Sequence, residues 1–177
     1  MAKREALREL QTRLATRLKA AQSSPSATAW LAVQAGGANY LLPLAQSGEI
    51  FSVVGVLPVP HSKTWFCGVV NLRGGVVSVV HLAGFLAAGG TGGQSVTHGE
   101  GVSAITLNPA LEINCALQVD ALCGLRGPEV FSASDGAATG AAAFWGTRFL
   151  DADGMPWQEI DLRALAQSPA FLDIRAA

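Results

Sequence analysis

Residues Cys67 to Leu82 read CGVVNLRGGVVSVVHL. Apolar residues, most of them β-branched, fill both sides of Gly74-Gly75, and paired glycines between apolar runs are a hairpin signal. The stretch is therefore expected to form two strands, Gly68–Arg73 and Val76–Leu82, turning at Gly74-Gly75. The first strand carries Asn71 and Arg73 among valines and a leucine. Charge is scarce here: 14% of residues are charged, and only six of the twelve Lys and Arg residues lie beyond position 19. A long cation in so apolar a run needs a partner, within the fold or on another protein.

The same strand pattern continues on both sides of this hairpin. Ala29–Ala35 and Ala38–Leu44 flank Gly36-Gly37, a second hairpin signal, and Glu49–Val56 is a strand stopped by Pro58-Val59-Pro60. Lys63–Phe66 reads as a short helical turn. Beyond the hairpin, residues 87–99 (AAGGTGGQSVTHG) read as a glycine-rich connector. Gly101–Leu107, Glu112–Val119 and Asp120–Leu125 continue the strands, and the Ala/Gly/Ser-rich stretch Pro128–Ala143 reads as a loop. Phe144–Asp151 and Met155–Ile160 form a last hairpin, with Asp161 placed to cap a helix at Leu162–Ala166. Pro169 is expected to start another turn carrying Phe171, Leu172 and Ile174. About ten short strands with glycine-rich turns argue for a mainly β chain, a sandwich or small barrels.

The N-terminus differs. Residues 1–22 read as an amphipathic helix, with Leu7, Leu10, Leu14, Leu18 and Ala21 on one stripe ~20 Å long. Residues 23–28 read as a linker, and 29–174 as the main domain, divisible near 87–99. Residues 1–19 hold six basic residues against two acidic ones, net +4, and the remainder nets −5. A body of that sign is a poor match for nucleic acid. Half the residues are hydrophobic, enough for a sizeable core. Three cysteines without a CxxC pair, no apolar leader after the basic start and no long apolar span together lead us to expect a cytoplasmic protein with reduced thiols.

Catalytic patterns are sparse. His61, His81 and His98 have no metal-ligand spacing, and no HExxH or CxxC occurs, so no metal or other cofactor is expected. The run Gly89 to Gly93 lacks the Lys and Ser/Thr of a phosphate loop. Ser78 and His81, three apart on a strand, point to opposite faces and cannot act as nucleophile and base. Glu112, Asp120, Asp151 and Asp153 read as structural carboxylates, the last two at a turn. Cys67, Cys115 and Cys123 read as core thiols. No catalytic residue is assigned, although a small β-scaffold hydrolase is kept as an alternative, as is a general protein-binding module.

Glu49-Ile50, then Pro58 to Pro60, Trp65, Gly68-Val69-Val70-Asn71-Leu72-Arg73-Gly74 and Val76 to Val80 together resemble the CheW family. These are the coupling proteins of bacterial chemosensory arrays, and the resemblance covers about residues 29–170. It implies two five-stranded SH3-like β-barrels sharing a core, with no enzymatic activity. It also implies an adaptor between the cytoplasmic tip of a methyl-accepting chemoreceptor and the regulatory domain of a CheA-type histidine kinase. Membrane contact would then be indirect, through the receptors. In that family the Arg of NLRG matters for coupling, which here is Arg73, and the acidic residue before an Ile is Glu49. The resemblance thus suggests a Glu49–Arg73 pair, and if buried, breaking it would cost ~3–5 kcal/mol.

Val53, Val54, Val56, Val69 and Val70, with Glu49, Asn71 and Arg73, are the candidate partner-binding residues. The sequence departs from the family at His81, where the pattern has Asp. The helix at the N-terminus, rich in Arg-Leu steps, looks like the start of the CheW-like proteins of the type IV pilus pathway, the PilI type. The output is therefore chemotaxis or twitching motility.

Overall fold

A computed structural model describes residues 29–88, 102–136 and 142–176. The expected N-terminal helix and linker, and the connector from residue 89 on, lie outside the described residues. The described chain folds into eleven strands. They are β1 (Trp30–Ala35), β2 (Ala38–Pro43), β3 (Ser47–Ser52), β4 (Phe66–Leu72), β5 (Gly75–His81), β6 (Ser103–Leu107), β7 (Cys115–Gln118), β8 (Ala121–Arg126), β9 (Phe131–Asp135), β10 (Trp145–Asp151) and β11 (Pro156–Ile160). Three short helices accompany them: α1 (Leu82–Ala88), α2 (Leu162–Gln167) and α3 (Pro169–Leu172).

The strands form a six-stranded sheet, β8-β1-β2-β11-β10-β9, and a five-stranded sheet, β3-β6-β7-β5-β4. Neighbours are antiparallel except β2 with β11 and β5 with β7. The chain passes between sheets after β2 and after β7. The first sheet therefore combines both ends of the domain and the second uses its middle. The division expected near 87–99 falls instead inside the five-stranded sheet, because β6 and β7, beyond it, pair with β3 and β5.

Both sheets curl. The segment after β3 returns to β4 through the Leu57–Val69 bridge, with reciprocal N–H···O distances of 2.8 and 2.9 Å. In the six-stranded sheet the two edge strands, β8 and β9, are consecutive in the chain, so the link between Arg126 and Phe131 can span at most ~18 Å. Buried side chains sort accordingly. Val53, Cys67, Val70, Val77, Val79, Ala104 and Ala116 cluster within the five-stranded sheet. Trp30, Ala32, Leu41 and Trp157 cluster within the other. A third, larger cluster joins the two sheets, including Leu31, Val33, Leu42, Val80, Leu117, Ile160 and Leu165. Alternate residues of β1 and β5 thus face two different cores. Burial on both faces demands a near-continuous apolar run, which is why Trp30–Val33 and Val77–Val80 read as they do.

The sequence reading needs correcting in four places. Residues 82–88 form α1 rather than running into a loop, and His81 Nδ1 accepts a 2.9 Å bond from Gly84 N at its start. Phe131–Asp135 is a strand, although its Ser, Ala and Asp residues lie exposed and gave no alternating pattern. β7 is shorter than expected because Pro109–Leu111 makes a 3-10 turn ending at left-handed Glu112, φ 57°. β3 begins at Ser47 and stops at Ser52 rather than spanning Glu49–Val56. Asp161 caps α2 as expected, accepting from Arg163 N at 2.9 Å and Ala164 N at 3.1 Å. Gln46 Oε1 adds a bond from Leu162 N at 2.7 Å and so ties α2 to the crossover after β2.

Candidate partner-binding site

The β4–β5 hairpin turns at Arg73-Gly74, one residue earlier than the glycine pair suggests, with Leu72 opposite Gly75. Both turn residues have positive φ, 51° and 84°. Such a turn matches strand twist but normally selects Asn or Gly at its first position. Asn71 supports it: its Oδ1 accepts from Gly74 N at 2.9 Å. Arg73 is therefore held at the tip of the hairpin on left-handed backbone, an arrangement that costs a bulky residue of order 1 kcal/mol.

Arg73 Nη2 lies 2.9 Å from Glu49 Oε1. Glu49 is fixed from behind, because its backbone N donates to Thr106 Oγ1 at 2.7 Å across a bulge between β3 and β6. The pair spans the seam where β3 comes round to the hairpin. It is not buried: the arginine side chain is 79% exposed and the glutamate 34%. The pair that the resemblance suggests is therefore formed, but without the burial that would have made it costly to break, and an exposed pair contributes only ~0–1 kcal/mol.

The candidate valines separate. Val53 and Val70 are buried inside the five-stranded sheet and cannot meet a partner without opening it. Val56 and Val69 are half-buried against the core clusters. Val54 is exposed, as are Ile50, Leu57 and Val76, which the sequence reading did not select. Ile50 follows Glu49 on β3, Val76 pairs with Asn71 across the hairpin and Leu57 bridges Val69, so all three lie on the strands and segment around the hairpin. Strict alternation from Val77 and Val79 inward would have pointed Val76 outward.

Elsewhere the polar groups serve the fold. Asp120 Oδ2 accepts from Gly36 N at 2.7 Å and holds the β1–β2 turn. Asp151 accepts from Asp153 N, Met155 N and Trp157 Nε1 at 3.0, 2.9 and 3.0 Å. The Trp157 indole and these amides hold its carboxyl below the usual range. Burial pushes the Cys67 thiol up to about 11 and that of Cys115 up to about 12, so both stay neutral and unreactive. Cys123 is half-buried against the aromatic cluster of the six-stranded sheet. Among the described residues no cluster of His, Cys, Asp or Glu could hold a metal ion, and no helix is long and apolar enough to cross a membrane.

Comparison with known proteins agrees with the fold. Protein PilI of Pseudomonas aeruginosa is 27% identical over 165 residues, covering 92% of this chain and 88% of that protein. The crystal structure of the scaffolding protein TtCheW from Thermoanaerobacter tengcongensis superimposes with a TM-score of 0.56 at 18% identity, over 75% of this chain and 88% of that one. The description of the CheW-like domain matches residues 29–170, so the chain belongs to the CheW-like domain family.

Proposed function

We propose that this protein is a non-catalytic adaptor that links a chemoreceptor's cytoplasmic tip to the regulatory domain of a CheA-type histidine kinase. The Arg73 hairpin serves as its coupling surface and the protein works at membrane-bound receptor arrays. The observation that carries this is the placing of Arg73. A residue held on left-handed backbone, at an exposed tip, in an ion pair worth little to stability, answers a demand other than folding. Membership of the CheW-like family supplies that demand, and the kinship with PilI favours pilus-driven twitching over swimming as the output.

The test is reconstitution of receptor, kinase and adaptor. Arg73→Glu should abolish receptor control of kinase activity while leaving the melting temperature within a few degrees of the unsubstituted protein. A folded Arg73→Glu variant that couples normally overturns the role of this hairpin. Failure of the unsubstituted chain to bring receptor and kinase together overturns the adaptor reading itself.

A further inference from the structure

The run Leu57-Pro58-Val59-Pro60-His61, between β3 and β4, has little means to fasten itself. Pro58 and Pro60 have no N–H to donate, so no unbroken ladder runs on from the Leu57–Val69 bridge. His61 follows on left-handed backbone, φ 55°, a conformation that persists in a bulky residue only where the surroundings hold it. The holder comes from the other end of the domain. After α3 the chain runs antiparallel to residues 61–63, with Ser62 opposite Arg175. Lys63 N donates to Ile174 O at 2.7 Å and Ala176 N to His61 O at 2.9 Å, one on each side of that bridge. Lys63 Nζ donates to Asp173 O at 2.6 Å, and Arg175 Nε to Asp173 Oδ1 at 3.0 Å. Asp173 and Arg175 are exposed, so their pairing adds little to stability. The root of this strap is firm. Phe171 is buried and stacks on Trp65 at 6.3 Å between ring centroids with 8° between planes, and Ile174 packs half-buried against the cluster that joins the sheets.

We propose that residues 173–176 position the coupling surface. Strapped across residues 61–63, they keep the segment from Leu57 to Lys63 in one place, so that its exposed apolar side chains meet the kinase regulatory domain already set beside the Arg73 hairpin. The inference rests on the adaptor reading and adds a second part to its surface. Leu57 is 67% exposed and Val59 36%, and the bridge fixes Leu57 to Val69, four residues before Arg73 on the same strand. The segment is thus pinned by β4 at Leu57 and by the strap at His61 and Lys63, with Val59 between the two pins. A segment held before binding loses no freedom on binding. One held for only part of the time weakens the apparent affinity in proportion to the time it is out of place. Asp173, Arg175 and Ala176 are therefore positioning residues, acting on the partner through Leu57 and Val59 rather than by contact. Because the buried core is anchored at Phe171, loosening the strap loosens this segment and leaves the sheets closed.

Loosening and relocking the strap in the full chain tests it. Ala176→Pro withdraws the N–H given to His61, and Asp173→Asn removes the charge paired with Lys63 and Arg175. In the double variant the Leu57 and Lys63 amides should exchange about tenfold faster. Its affinity for the isolated kinase regulatory domain, measured by calorimetry, should fall about fivefold. The melting temperature should stay within a few degrees, and receptor control of the kinase should be kept at saturating adaptor. Ser62 and Arg175 form a non-hydrogen-bonded antiparallel pair, whose Cα atoms at ~4.5 Å suit a disulfide. Adding Ser62→Cys/Arg175→Cys to the double variant, in a Cys123→Ser background, should therefore restore slow exchange and affinity when oxidised and lose both when reduced. Unchanged affinity in the double variant overturns the proposal, and faster exchange alongside it would assign the strap to the fold alone. An affinity loss that the oxidised disulfide does not restore overturns it in favour of direct contact between strap and partner. Failure of the unsubstituted chain to bind the regulatory domain overturns the adaptor reading, and the strap's role with it, before any variant is compared.

Discussion

Arg73 and Asp151 show how differently two charged residues are used. Arg73 adds little to stability, so Arg73→Asn, which suits a turn with positive φ, should raise stability by up to ~1 kcal/mol even as coupling is lost. Chemical denaturation paired with a kinase assay would separate the two effects. Asp151 is the reverse case, for its carboxylate holds the β10–β11 turn and the Trp157 indole. Its carboxyl sits below the ordinary value of 3.8, chiefly through the Trp157 bond. The ionised form is thus favoured by folding, and its contribution is present above about pH 4 and lost as pH falls through the lowered value. Asp151→Asn should be less stable than the unsubstituted chain at pH 7, and the gap should narrow as pH falls below about 4. A gap that persists unchanged at pH 3 would mean the charge is irrelevant. Neither role was fully legible in the sequence. The resemblance suggested the pairing of Glu49 with Arg73, but the apolar letters around Arg73 left its burial open, because two adjacent glycines do not show which pair of residues makes the turn.

At the level of elements, Gly68 and His81 carry the sharpest expectations. Gly68 has φ 133°, and a Cβ there would run into the Leu57 carbonyl that forms the closing bridge. Gly68→Ala should cost ~2–4 kcal/mol and expose the interior holding Val53 and Val70, measurable as dye binding and a lowered denaturation midpoint. His81 begins α1 by accepting from Gly84 N. His81→Ala should cost about 1 kcal/mol, whereas His81→Asp, also an acceptor and better placed against the helix dipole, should preserve or raise stability. Strands with near-continuous β-branched runs beside a glycine turn, such as β4 and β5, could be read directly. β9 could not, since FSASD carries one large apolar side chain and is a strand only because β10 offers it a ladder. α1 was missed for the opposite reason: LAGFLAA continues an apolar strand without polar punctuation.

At the level of the whole molecule, the cluster joining the sheets makes the domain one unit. Leu165, fully buried in it, ties α2 to strands of both sheets. Leu165→Ala should cost ~2–5 kcal/mol and lower a single transition rather than split it into two. A calorimetric enthalpy well above the van't Hoff value would show the sheets melting separately. Mainly β architecture was apparent from turn spacing, but the sheet exchange was not, because pairing between distant strands leaves no local trace. That exchange also bears on how the polypeptide emerges from a ribosome. β2 lies beside β11, with Tyr40 opposite Gln158, so the first hairpin must wait through nearly the entire synthesis for its permanent neighbour. The middle sheet, β3 to β7, has all its strands available much earlier. A nascent chain stalled after β7 should therefore already hold a protease-resistant centre while its first hairpin remains open to cleavage, leaving the strands that carry Trp30 and Tyr40 exposed to chaperones until their partners emerge.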